Sequence, residues 1–418
     1  MKLDFLGGAR EVGRSSIFVE LNKLKLLFDC GVKPNHNTSF PLVPPVDPDA
    51  VVVSHAHLDH SGNIPVYSSK GIPWFCTEPT LPLIELLLND SLKILKGSKQ
   101  KPYFSLHDLK KLPKTCRTLS YNETFEFFDG SKLSFLDAGH ITGSAQVFLK
   151  ENSGKSVLYT GDLKLEKTRL HSGALVPNEK VDVLITESTY AAQEHASRAS
   201  LEKEFCKKVQ QTVNEGKVAL ILAFAVDRTH EILMVLAQNN FRGTVFVDGM
   251  GTQVYEIMLN YPKYLDDLAG LKGAVKKTHF VSSKSRRRIG SSPSVIVSTA
   301  GMLSGGPAIS YLKKLNSKGN GKVFMTGFQV IGTNGRMLLE QGKIRIRGRT
   351  ERIFLEAEQF DFSAHIGYSQ LLHFVRKISP QKVFCVHGEE EKCVQFAEDL
   401  KKEGFDAVAP RQGDAFEV

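Results

Sequence analysis

The sequence predicts an α/β protein built from two dissimilar parts, and three observations carry that reading. Short apolar runs rich in β-branched and aromatic residues crowd the first 190 positions, at 17–21, 24–28, 50–53, 133–136, 147–149, 157–159 and 181–185. From Ala196 onward, apolar strands alternate with helical patterns, the signature of parallel βαβ units. The chain has 418 residues, too long for one ordinary domain of about 100–200 residues.

In the first part, the clearest helical pattern is 82–95, with Leu83, Leu86, Leu87, Ser91 and Ile94 predicted on one face. Sheet with a few covering helices predicts a layered domain. In the second part, a helix over 196–214 leads into the wholly apolar run 218–224. Helix 228–238, strand 244–247, helix 254–259, strand 295–298, helix 307–315 and strand 323–326 follow. The last segment predicts strands at 344–346 and 353–355, a helix at 368–376 and a strand at 382–386. The tail 407–418 could pair as an edge strand in a dimer or simply end its domain.

Composition excludes several classes. Hydrophobic residues make up 41% and charged residues 24%, which argues against long disorder. The net charge of +9 suits a polyanionic partner without requiring one. None of the six cysteines stands in CxxC spacing, so a zinc ribbon or thioredoxin-type motif is excluded. The first residues lack the apolar core of a signal peptide, and no run approaches the ~20 apolar residues of a membrane span. A soluble cytoplasmic protein is expected.

The chemistry concentrates in Ser54-His55-Ala56-His57-Leu58-Asp59-His60, directly after a predicted strand. Four imidazole or carboxylate donors in six positions are what divalent zinc prefers. One loop cannot close a metal site, so further ligands are expected at other strand ends. The sequence offers His140 in Gly139-His140-Ile141-Thr142-Gly143-Ser144, Asp162 in Thr160-Gly161-Asp162, and His387 in Val386-His387-Gly388. Each has a glycine beside it, which lets backbones pass close together.

These motifs, with Asp29 of Phe28-Asp29-Cys30-Gly31, resemble the metallo-β-lactamase fold. Thr186-Glu187-Ser188-Thr189-Tyr190, Ser363-Ala364-His365 and Val386-His387-Gly388 match the additional motifs of the β-CASP nucleases. The resemblance spans essentially the whole chain. It implies an αββα sandwich over 1–190 and 346–418, with a parallel α/β β-CASP domain inserted at 191–345. It also implies two zinc ions, one held by His55, His57 and His140 and the other by Asp59, His60 and His387, with Asp162 bridging. It implies His365 as the proton donor to the leaving oxygen, Glu187 as the carboxylate orienting it, and Asp29 as the acid behind a ligand histidine.

The opening Gly7-Gly8-Ala9-Arg10-Glu11-Val12-Gly13-Arg14-Ser15 resembles the endonuclease of the pre-mRNA 3′-cleavage complex and its short archaeal and bacterial relatives, here without N-terminal KH domains. The expectation is a zinc-dependent enzyme that cuts single-stranded RNA internally, in 3′-end processing or decay. A 5′→3′ exoribonuclease of the ribonuclease J type and a small-molecule metallo-hydrolase are the alternatives. A homodimer or an RNA-processing complex is open. Gly301 and Gly305 stand in segments that resemble the family's interdomain-cleft lining, Arg336 in one that resembles another family loop, and Ser363 and Ala364 in the motif of His365; all five are expected to bind substrate. A glycine-rich entry to a helix can take a phosphate or be an ordinary turn. Arg336 could meet a phosphate or pin its own loop. The basic runs 284–288 and 343–349 could steer RNA or be solvated faces. His36, His107, His171, His195, His230, His279 and His373 have no motif context and are read as structural or surface residues.

Overall fold

A computed structural model describes residues 1–21, 23–33, 38–97, 101–303, 305–346 and 348–418, so His36 and Arg347 lie outside the described residues. The chain divides into two compact units. One comprises Met1–Lys167, Ser172–Glu194 and Ala364–Val418, and the other Thr168–His171 and His195–Ser363.

The first unit is a sandwich of two seven-stranded mixed sheets. One runs in the order Ala415–Glu417, Lys2–Gly7, Ser16–Leu21, Leu24–Phe28, Ala50–Val52, Trp74–Thr77, Cys116–Leu119. The other runs Asp406–Val408, Lys382–Val386, Val183–Glu187, Ser156–Tyr159, Ala145–Lys150, Lys132–Asp137, Thr124–Glu126. Side chains alternate across each strand, and in central strands such as Ser156–Tyr159 both faces are buried. Val157 and Tyr159 enter the core between the sheets, with Phe5, Val19, Phe28, Val52, Ile185 and Phe384. Leu158 points the other way, into a second core. There Leu371 and Phe374 of helix Tyr368–Ile378 meet Phe396 and Leu400 of helix Glu390–Lys402.

The C-terminal segment is woven into this unit rather than appended to it. Lys382–Val386 pairs in parallel with Val183–Glu187, and the register sets Glu187 beside Val386. Strand Ala415–Glu417 pairs antiparallel with Lys2–Gly7 of the same chain. Phe384 therefore sits with its ring centroid 5.0 Å from both Phe5 and Phe416.

The second unit holds a wholly parallel six-stranded sheet, ordered Thr278–Phe280, Val245–Asp248, Ser294–Thr299, Val218–Ala223, Gly321–Met325, Glu356–Gln359. All six residues of Val218–Ala223 are buried, as a central parallel strand requires. Among the described residues, no helix is long and apolar enough to cross a membrane.

Two expectations change. The helix over Thr80–Gly97 buries Leu83, Ile84, Leu88, Leu92 and Leu95, while Ile94 is 57% exposed. Its buried stripe follows Ile84, Leu88, Leu92 and Leu95 at helical spacing, so Leu86 and Leu87 fall on its edge. Residues 353–355 form no strand; they lie between strands Arg349–Arg352 and Glu356–Gln359. Here the Ile353 amide donates to the Gly342 carbonyl at 2.8 Å and the Phe354 amide to Asn316 Oδ1 at 2.7 Å. These bonds turn the chain, so Ile353 and Leu355 enter the second unit's core without a ladder.

Removing Phe384 tests how much the returning strand holds the first unit together. Phe384→Ala should cost about 3–5 kcal/mol, the usual range for a fully buried phenylalanine. Trp74 is the only tryptophan and is buried in the same unit, so its fluorescence during urea unfolding reads the loss directly.

Candidate metal centre

The site is built from strand ends of the first unit. Strand Leu24–Phe28 delivers Asp29, which takes a left-handed backbone (φ 57°) that few non-glycine residues adopt. Its amide donates to the Val52 carbonyl at 2.9 Å, which sets it beside the loop after Ala50–Val52. That loop carries His55 and His57 and then turns into the short helix Leu58–Ser61, bearing Asp59 and His60. His140 is held by a local cap: Ser144 Oγ accepts from the amides of His140 (3.0 Å) and Ile141 (3.1 Å). Gly161, with φ 54°, lets the Asp162 loop press against Ser54; an added Cβ would meet the Ser54 side chain at 2.8 Å. His387 follows the returning strand, also left-handed (φ 48°). Its amide donates to Gly8 O at 2.7 Å, and its carbonyl accepts from Thr189 Oγ1 at 3.0 Å.

Proton positions follow from the acceptors behind the rings. His60 Nδ1 donates to Asp29 Oδ2 at 2.6 Å. His140 Nδ1 donates to the Ala364 carbonyl at 2.9 Å. Ser54 Oγ gives its hydrogen to Asp29 Oδ2 at 2.8 Å, so it accepts from His55 Nδ1 at 3.1 Å. In the neutral rings, Nε2 of all three histidines is left as a lone pair. Asp29 also accepts from the Ser54 amide (2.7 Å) and the Tyr159 hydroxyl (2.7 Å). This one buried carboxylate thus sets His60 directly and His55 through Ser54.

Those lone pairs converge. His57 Nδ1 lies 3.1 Å from His55 Nε2 and 3.2 Å from His140 Nε2. Asp162 Oδ2 lies 3.5 Å from Nε2 of both His55 and His140. Beside this set, His387 Nε2 lies 3.3 Å from His60 Nε2 and 3.5 Å from Asp59 Oδ2. Asp162 Oδ1 reaches both His60 Nε2 (3.4 Å) and His387 Nδ1 (3.1 Å). Donors 2.0–2.1 Å from a tetrahedral ion stand about 3.3 Å from one another. The observed spacings match that edge length, so the residues fit a divalent metal. His55, His57, His140 and Asp162 form one group of donors, and Asp59, His60 and His387 a second.

The electrostatics of the first donor group agree with that fit; in the second, burial works against a charged His60, but Asp162 and Asp29 prevail and raise it well above the ordinary histidine range. Burial above all holds His55, His57 and His140 below the ordinary histidine range, which keeps them neutral donors. Burial opposes ionisation of Asp162, yet His387 and His60 outweigh it and hold the carboxyl well below its usual range. Asp59 is lowered for a similar reason: its bond to His387 overcomes its burial.

A third group adjoins the first two. His365 Nδ1 lies 3.1 Å and 3.0 Å from the two Glu187 oxygens and 4.0 Å from Asp162 Oδ2. Glu187 Oε1 also accepts from the Leu163 amide at 2.6 Å. Burial disfavours a charged His365, but Glu187 and Asp162 prevail and raise it to about 9. The His365 side chain is 17% exposed where Glu187 is 0%, so the imidazole is the member of the pair that meets solvent.

The remaining sequence candidates fall differently. The Ala364 carbonyl is occupied by His140. Ser363 is buried and closes the second unit, which also contains Gly301, Gly305 and Arg336. The Gly301 carbonyl accepts from Gln329 Nε2 at 3.0 Å. Gly305 caps helix Gly306–Lys318 without a side-chain bond. Arg336 Nε donates to Glu340 Oε1 at 2.5 Å, one helical turn away. Within the basic run 284–288, Arg286 is bound to Asp248 through two bonds of 2.6 and 2.7 Å, so it is a structural ion pair; Arg287 and Arg288 are exposed. Sequence reasoning missed Ser54 as the relay between Asp29 and His55, although it opens the histidine motif.

Asp29→Asn should weaken divalent-metal binding roughly 10–100-fold, the usual effect of losing an acceptor behind a ligand histidine. Competition with a chromophoric chelator measures it.

Comparison with known proteins matches three successive stretches of the chain. Residues 351–410 match the family model "Zn-dependent metallo-hydrolase RNA specificity domain", residues 229–338 the Beta-Casp domain, and residues 1–214 the model "Anti-Pycsar protein Apyc1". The chain is 36% identical to "Probable RNase MJ4" of Methanocaldococcus jannaschii over 429 residues, covering 100% of both. It is 38% identical to "RNase aCSPSF2" of Saccharolobus solfataricus, over 98% of this chain and 84% of that one. It is 35% identical to "Transcription termination factor FttA" of Methanocaldococcus jannaschii, over 96% of this chain and 69% of that one. Among solved structures, a protein of unknown function from Enterococcus faecalis superposes with a TM-score of 0.58 at 14% identity, covering 99% of each chain, which speaks to the fold.

Proposed function

Because the chain belongs to the β-CASP ribonucleases of the metallo-β-lactamase fold, we propose that it is a two-zinc endoribonuclease that cuts single-stranded RNA internally, in 3′-end processing or decay. One observation carries this reading: a ring of imidazole and carboxylate donors at metal spacing stands beside an oriented histidine–glutamate pair. In this reading His55, His57 and His140 hold one zinc, Asp59, His60 and His387 hold the other, and Asp162 bridges the two. When bound, the pair of ions supplies Lewis acidity, activating water and offsetting the charge that develops on a phosphate.

The chain's own residues do the rest. Glu187 accepts the Nδ1 proton of His365 and so holds one tautomer and one ring orientation. His365 then presents Nε2 to the leaving oxygen as the proton donor. A small-molecule hydrolase needs neither this pair nor a second unit of such size. The uncapped N-terminus of helix Gly306–Lys318, entered through Gly305, offers backbone N–H groups suited to a phosphate of the RNA. Six free cysteines suit a reducing compartment, and we place the enzyme in the cytoplasm.

His365→Ala should keep both zinc ions yet slow cleavage about 10²–10⁴-fold, the loss expected for a general acid. Near-normal cleavage by this variant would remove His365 from the mechanism. The cutting mode is read from 5′-labelled single-stranded RNA on a sequencing gel. Labelled fragments of intermediate length are expected. Immediate release of labelled mononucleotide would instead make it a 5′→3′ exonuclease of the ribonuclease J type.

A further inference from the structure

Lys164 stands where an apolar residue would be the ordinary occupant. Its side chain is 5% exposed, two positions past Asp162. Burying an ammonium is costly unless its protons find acceptors. Its backbone is clamped from both sides: the amide donates to Ala138 O at 2.9 Å and the carbonyl accepts from the Ala174 amide at 2.7 Å. The stem therefore has a fixed origin. Its Nζ lies 3.3 Å from Glu166 Oε2, on a half-exposed carboxylate, and donates to the backbone carbonyl of His365 at 3.3 Å. A pair with a half-exposed partner contributes little to stability, so it does not explain why the ammonium is buried here. The bond to His365 lies next to the proposed chemistry.

The segment carrying His365 is thus held at consecutive peptides. His140, whose other nitrogen faces the metal centre, holds the Ala364 carbonyl, and Lys164 holds the His365 carbonyl. Glu187 holds the ring. Ring and backbone together define where Nε2 stands, and a proton donor tolerates little displacement from its acceptor.

We propose that Lys164 is a positioning residue for the general acid, fixing the His365 backbone so that the ring held by Glu187 points Nε2 at the leaving oxygen. The inference rests on the proposed role of His365, and a double-mutant cycle separates the two. Lys164→Met should lower kcat about 10–100-fold, with KM and zinc content unchanged. In a His365→Ala background the same substitution should cause no further loss, because the group it positions is gone. Equal losses in both backgrounds, or no loss in either, would overturn the proposal. Loss of zinc from Lys164→Met would overturn it too, making the residue part of the metal scaffold. If Lys164→Met does not fold, Lys164→Ala, which also removes the donor, enters the same cycle with the same outcomes. A fully active His365→Ala enzyme would instead remove the acid itself, a separate failure.

Discussion

The centre depends on one buried carboxylate. Asp29 accepts four hydrogen bonds, from the Ser54 amide and hydroxyl, the Tyr159 hydroxyl and His60 Nδ1. Each one removes a choice. The bond from His60 puts that ring's proton behind it. The bond from Ser54 forces the serine oxygen to accept from His55, which puts the second ring's proton behind it as well. Without these acceptors, neighbouring imidazoles 3.1 to 3.3 Å apart would share protons among themselves and present no common target. With them, the lone pairs meet where only a cation satisfies all of them.

The fold turns this local rule into a site by bringing distant strand ends together. The loop bearing His55, His57, Asp59 and His60 leaves one sheet of the sandwich. His140, Asp162 and His387 follow strands of the other, and Glu187 ends one. Val183–Glu187 and Lys382–Val386 are far apart in sequence yet adjacent in parallel register, so Glu187 and His387 come from neighbouring strands. The left-handed backbones at Asp29 and His387 sit at the two points where a chain leaves its strand to reach the centre. Strain at such positions survives only when surrounding bonds hold it, and here they do, through Val52, Gly8 and Thr189.

Much of this was legible in the sequence because residue types that bind metals are few and here stand in short motifs, three of them beside a glycine. His55, His57, Asp59, His60, His140, Asp162 and His387 all announce themselves in motifs, and the structure brings all of them together. What stayed hidden depends on tertiary partners. Ser54 reads as an ordinary polar residue until Asp29 takes its hydrogen. Arg286 looks like a surface charge until Asp248, at the end of strand Val245–Asp248, claims it. The buried stripe of helix Thr80–Gly97 could not be placed where leucines occupy nearly every face. Helix Leu268–Lys276 escaped because Gly270 and Gly273 interrupt its pattern, and Glu390–Lys402 because few apolar residues mark it; packing fixes both. Lys164 carries no motif signal beyond its nearness to Asp162.

Diffraction at the zinc absorption edge, from crystals of the zinc-loaded protein, tests the account most directly. It predicts two anomalous peaks, one among His55, His57 and His140 and one among Asp59, His60 and His387, with the Asp162 carboxylate between them. A single peak, or a peak outside this ring of donors, would contradict it.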